Sequence, residues 1–115
     1  MSLHRLAEER SLAFHRVVAD RIRNDPRLLE PVRARLDEWL ERGDRSSSYA
    51  AEWRRIVDLP IPKLVEFLVD PGEHARELRQ STPFAGFLTP AERWQLWAQV
   101  REQFERDESP TGDGP

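Results

Sequence analysis

Apolar positions along the chain recur at three- and four-residue spacings, and the alternation expected of strands is almost absent. Over residues 3–23, Leu3, Leu6, Phe14, Val17, Val18 and Ile22 fall at helical spacings, and Asn24-Asp25-Pro26 stops the run. Asp25 can cap a second helix with Pro26 at its first position, where its missing N–H has no partner to lose. That helix carries Leu28, Leu29, Val32, Leu36, Trp39 and Leu40 and stops near Gly43, a residue that tolerates positive φ. Pro31 within it demands either a bend or a short turn ahead of a helix starting near Glu30. Ser46-Ser47-Ser48 offers hydroxyl caps to a third helix with Tyr49, Trp53, Ile56 and Val57, which Pro60 and Pro62 close. Residues 63–69 predict a short fourth helix.

Asp70-Pro71-Gly72-Glu73 and Thr89-Pro90-Ala91-Glu92 share a capping-box pattern: an oxygen cap, a proline in the first turn and a carboxylate three residues on. They predict a fifth helix over 71–80, polar and superficial apart from Ala75 and Leu78. They also predict a sixth over 90–106 that packs Trp94, Trp97, Val100 and Phe104. Between them, residues 81–88 form an apolar loop whose Phe84 and Phe87 either fold onto the core or meet a partner. The expected architecture is all-α, a compact bundle of five or six short helices. It forms a single helical domain over 1–106, with a disordered tail over 107–115 that lacks apolar anchors.

Composition narrows the function classes. With 115 residues, 38% of them hydrophobic, the chain can build one core but not two. It has no cysteine, which removes disulfides, thiolate zinc sites and cysteine nucleophiles together. No stretch approaches the roughly 18 apolar residues of a membrane span, and Met1-Ser2-Leu3-His4-Arg5 is followed by no apolar signal core. A soluble, cytoplasmic protein with no membrane partner is expected. The 18 Lys and Arg face 21 Asp and Glu for a net charge of -3, which disfavours general polyanion binding. Arg33, Arg35, Arg42, Arg45, Arg54 and Arg55 are interleaved with acids rather than gathered into a stripe, so nucleic acid is not an expected partner. Lys63 is the only lysine, a bias that suggests GC-rich bacterial codons.

The chemistry-bearing residues are few. His4 and His15 lie on nearly the same face of the first helix but roughly 16 Å apart along its axis, too far to share a metal. No metalloprotease, calcium-loop, P-loop, dinucleotide or nucleophile-elbow motif is present, so no cofactor, metal or catalytic residue is assigned. Arg10 and Arg21 are the anomaly, because both fall within the apolar face of the first helix. Each must find a carboxylate or carbonyls inside the protein, or reach acids on another chain. Arg10 and His15 also resemble the Arg-x4-His motif of HEPN-type ribonucleases, small all-α proteins that cleave RNA across a dimer. Here Ser11 and Phe14 replace that motif's usual polar residues, and the two side chains start roughly 140° apart on the helix.

Two stretches, Arg10-Ser11-Leu12-Ala13-Phe14-His15-Arg16 and residues 79–94, which include Ser81-Thr82-Pro83-Phe84-Ala85-Gly86-Phe87, carry a second resemblance. They are similar to small bacterial helical proteins that accompany toxin–antitoxin-type gene pairs, including pairs with a nucleotidyltransferase-like partner. The similarity spans residues 5–101. It implies a non-enzymatic protein-interaction module, an antitoxin-like partner protein, and brings no catalytic motif with it. The residues expected to contact the partner are Arg10, Arg21, Phe84, Phe87 and whichever of Trp53, Trp94 and Trp97 is exposed, since Trp and Arg dominate binding energies at interfaces. A small ribonuclease using Arg10 and His15 and a DNA-binding regulator are the rival expectations. The apolar first-helix face would also suit a two-fold homodimer.

Overall fold

A computed structural model describes residues 3–43 and 47–108. Its elements are α1 (Leu3–Asn24), a 3-10 turn (Pro26–Leu28), α2 (Leu29–Arg42), α3 (Ser47–Val57), α4 (Ile61–Leu68), α5 (Glu73–Arg79), a second 3-10 turn (Ala85–Phe87) and α6 (Pro90–Glu108). No strand occurs among the described residues, so the fold is an all-α bundle of six helices. Helices α2 and α3 pack closely as a pair, while α1 packs against both α4 and α6.

Local chemistry sets most of the boundaries. The Asp25 carboxylate accepts the Arg27 N–H at 3.2 Å and caps the first 3-10 turn, with Pro26 at its start. Helix α2 then begins at Leu29, which leaves Pro31 in the first turn and the helix unbroken. Gly43 closes it with φ 64°, a left-handed conformation that costs a glycine little. At α6 the capping box is reciprocal: Glu92 N–H donates to Thr89 Oγ1 at 3.1 Å and Thr89 N–H donates to Glu92 Oε1 at 2.8 Å.

The matching segment at Asp70 behaves differently. Its Oδ1 accepts the Gly72 N–H at 2.7 Å, but Gly72 is extended (ψ 159°), so α5 starts only at Glu73 without a side-chain cap. Helix α4 starts earlier than expected, at Ile61, because Pro62 fits the first turn. Helix α6 continues two residues beyond the expected Arg106. Ser46 and residues 109–115 of the expected tail lie outside the described residues.

The core explains the apolar loop. Phe84 and Trp53 are fully buried, and the Trp53 indole N–H donates to the Leu78 carbonyl at 3.1 Å. The Phe84 ring meets three others edge-on, Phe87 at 5.4 Å, Trp53 at 5.6 Å and His15 at 6.3 Å between centroids. That arrangement sets ring edges against ring faces, which favours each pair beyond the area it buries. Trp53 and Phe84 therefore have no surface to offer a partner, and Phe87 is packed half-buried against the same cluster. The loop is tethered at both ends, by α5 and α6, and burying its Phe84 ring stabilises the fold by about 1.5–3 kcal/mol.

Phe84→Ser should cost about 3–5 kcal/mol, the range for emptying a buried phenylalanine site, and Trp94→Ala should cost little. Thermal melts followed by circular dichroism check this. Unchanged melting of the Phe84 variant would place the loop outside the core.

Candidate anion-binding site

Helix α1 brings Arg10, Ser11, Phe14 and His15 to one depression of about 330 Å³. Ala7 of α1, Arg79 at the end of α5, Thr82 and Ala85 from the loop, and Arg93 and Trp97 from α6 complete its lining. Arg10 and His15 reach the same depression although they leave α1 in different directions. His15 is buried at 1% exposure, whereas Arg10 is half-buried.

The hydrogen bonds of His15 define its tautomer. Nδ1 lies 2.7 Å from the Ser11 carbonyl, which can only accept, so Nδ1–H donates. Nε2 is then the acceptor for the Thr82 hydroxyl at 2.8 Å, and Thr82 Oγ1 in turn accepts the Phe84 N–H at 3.2 Å. Burial pushes the pKa of His15 down to about 4, the Ser11 carbonyl opposes that shift and the nearby Arg79 charge reinforces it. The ring is neutral, and both its nitrogens are used inside the chain. That is poor provision for the proton transfers a HEPN-like ribonuclease would ask of it.

The arginines separate into two sets. Among those that are only partly exposed, Arg21 holds Glu92 at 2.7 Å, Arg33 holds Glu30 at 2.8 Å, Arg54 holds Asp58 at 2.8 Å and Arg76 holds Glu8 at 2.9 Å. Arg10, Arg79 and Arg93 hold no carboxylate among the described residues, and all three line the depression, which no Asp or Glu lines. Each also leaves a buried Nε–H without a partner. Buried donors in folded proteins are nearly always satisfied, so three unfilled ones in one place need an explanation.

Each guanidinium is nonetheless held in position. Arg79, 5% exposed, donates to the carbonyls of Asp70 at 2.7 Å and Leu68 at 3.3 Å. Burial draws its pKa below the usual arginine value, with the Asp70 charge opposing. Arg93 donates to the carbonyls of Ala85 at 3.3 Å and Leu88 at 3.5 Å. Arg10 lies over the Trp97 ring, 5.8 Å from its centroid, a cation–π contact. Neutral carbonyls and a ring face orient these cations without cancelling their charge. The result is a depression lined by three arginines and by no acid, whose unpartnered Nε–H groups lie beneath its surface.

Of the residues expected to contact a partner, Arg10 and Trp97 line this site. Trp94, 74% exposed, stands beside Arg93 on α6. Arg21 is elsewhere: besides Glu92 it donates to the Phe87 carbonyl and fastens α1 to the start of α6. Arg79 and Arg93 were not legible as site residues. Arg79 had a signal, since it shares a helix face with Ala75 and Leu78 in the same way that Arg10 shares one with Leu6 and Phe14. The segments 10–16 and 79–94 between them supply most of the lining.

Comparison with protein-family models, with curated proteins and with solved structures finds no match to this chain. Among the described residues no cluster of histidines and carboxylates could hold a metal ion, and no helix is long and apolar enough to cross a membrane.

His15 makes folding pH-dependent. The unfolded chain takes up its imidazole proton near pH 6.5 and the folded protein only near 4, so between these values the unfolded state binds more protons. Stability from this group is full above about pH 6.5 and falls by roughly 3 kcal/mol as pH drops to 4. Urea unfolding across that range should show the decline, and His15→Asn should flatten it.

Proposed function

We propose that this protein is a protein-binding module, the antitoxin-like member of a bacterial two-protein system, and that it grips an acidic group of its partner in the Arg10–Arg79–Arg93 pocket. The observation that carries this reading is the set of three arginines lining one depression that no Asp or Glu lines, none of them in an ion pair among the described residues. Elsewhere the chain pairs its half-buried arginines with its own acids, so the vacancy here is local and specific.

The surroundings support a macromolecular partner. Trp97 lies against Arg10 in the depression, and Trp94, one position after Arg93 on α6 but outside the lining, is 74% exposed; Trp and Arg are the residues most enriched in binding hot spots. The resemblance to antitoxin-type partner proteins supports the same reading, because the stretches that carry it are the ones that build the pocket. A site that works by charge should bind faster and more tightly at low salt.

The test is affinity purification of the tagged protein from its native host, with co-purifying proteins identified by mass spectrometry. Wild-type protein should retain one stoichiometric partner, and Arg93→Gln and Trp94→Ala should lose it while melting at nearly the wild-type temperature. Absence of a partner, or equal retention by both variants, would overturn the reading.

A further inference from the structure

We propose that the depression between the start of α2 and the 81–88 loop is a binding site for a small monocarboxylate with an apolar body. The proposal goes beyond the partner reading and is independent of it, because none of Arg10, Arg79, Arg93 and Trp94 lines this depression. Its volume is about 360 Å³, within the range of small-molecule sites. Leu28, Pro31 and Val32 form one wall, and Pro83, Gly86 and Phe87 of the loop form the other.

These walls are built before any ligand arrives. Phe87 stands edge-on to the buried Phe84, 5.4 Å between centroids, and Val32 and Pro83 are themselves buried. Proline rings at 31 and 83 fix the local backbone on both sides. Leu28 is nevertheless 36% exposed and Phe87 only half-buried, so apolar surface faces water inside a concavity. Hydrocarbon seated there would remove that surface from water, which is favourable in proportion to its area.

Charge selects the class of ligand. Arg21 and Arg35 line the depression, and no acid among the described residues does. Glu92 meets the Arg21 charge at 2.7 Å, and Arg21 also donates to the Phe87 carbonyl. Arg35 is exposed and makes no hydrogen bond or ion pair with any described residue. Glu38, the acid one turn further along α2, is held instead by Arg42 at 3.1 Å. One accessible, uncompensated cation therefore borders an apolar hollow. It matches a monoanion, whereas a phosphomonoester would bring close to two negative charges. The planar arginine fork can hold a carboxylate through two parallel N–H donors. By contrast, the depression between α1 and α6 carries both signs, since Arg5 and Arg16 share it with Glu9 and Asp107.

Gly86 offers a way to crowd the site. It does not adopt positive φ, and a Cβ added to it would meet no atom within 4 Å. Gly86→Leu should therefore keep the fold while taking up space at the edge of the depression.

Hydrocinnamate, hydrocinnamyl alcohol and acetate separate the two requirements: the first two share the hydrocarbon, and the first and last share the carboxylate. The readout is the backbone ¹⁵N–¹H signals of Gly86 and Phe87 in the full-length protein at neutral pH. Hydrocinnamate should shift them saturably and bind at least about tenfold more tightly than the alcohol, as befits a charge-assisted hydrogen bond, and acetate should produce no saturable shift. Arg35→Gln should lower hydrocinnamate to the affinity of the alcohol, and Gly86→Leu should abolish the Phe87 shift, both at unchanged melting temperature.

Equal binding of the alcohol, equal binding by Arg35→Gln, or no shift at Gly86 and Phe87 would overturn the proposal, and so would tighter binding of phenyl phosphate than of hydrocinnamate. Loss of a co-purifying protein from Gly86→Leu would assign the depression to that protein and overturn the small ligand. The partner reading fails separately, through retention of the partner by Arg93→Gln and Trp94→Ala.

Discussion

His15 is held between α1 and the loop that joins α5 to α6, and its neutral ring is the hinge on which the site depends. Nδ1–H closes onto the Ser11 carbonyl of its own helix, Nε2 receives the Thr82 hydroxyl, and that oxygen receives the Phe84 N–H. The chain of bonds works only with an uncharged ring, which burial enforces. It sets Phe84 against Trp53, Phe87 and His15 itself, so a polar relay and an aromatic cluster specify the same loop position. A fully satisfied buried network of this kind gives a small core a single arrangement.

Once that loop is fixed, the arginines fall into place. Arg79 ends the helix before it and Arg93 lies in the helix after it, so docking the loop on α1 carries both to Arg10. Their charges are tolerated because each is oriented by neutral groups: carbonyls for Arg79 and Arg93, an indole face for Arg10. The Asp70 and Glu8 charges act favourably on Arg79, and that of Arg76 acts against it. Arg21 shows the contrast about three turns along α1, where Glu92 pairs with the guanidinium and makes it a structural clamp.

The same contrast separates binding from catalysis. A ribonuclease would need His15 free to exchange a proton, yet here the ring is a structural element with both nitrogens engaged. What the depression presents is three arginines and no acid beside Phe14 and Trp97.

The sequence by itself determined the helices and most of their ends, because those depend on interactions that close within a few residues. Helical periodicity, the Asp25 cap, the positive φ of Gly43 and the Thr89–Glu92 box are all local. It also marked Arg10 and Arg21 as misplaced on an apolar face. It could not say which would be paired, because the acid that satisfies Arg21 lies 71 positions away in the chain. The Asp70 segment shows the limit at short range, where one extended glycine undid a pattern matching the one at Thr89. Whether Phe84 faced a core or a partner, and whether Arg79 and Arg93 would join Arg10, depended on how the 81–88 loop docks. Docking is a sum of contacts between elements distant in sequence, and only the tertiary structure contains that sum.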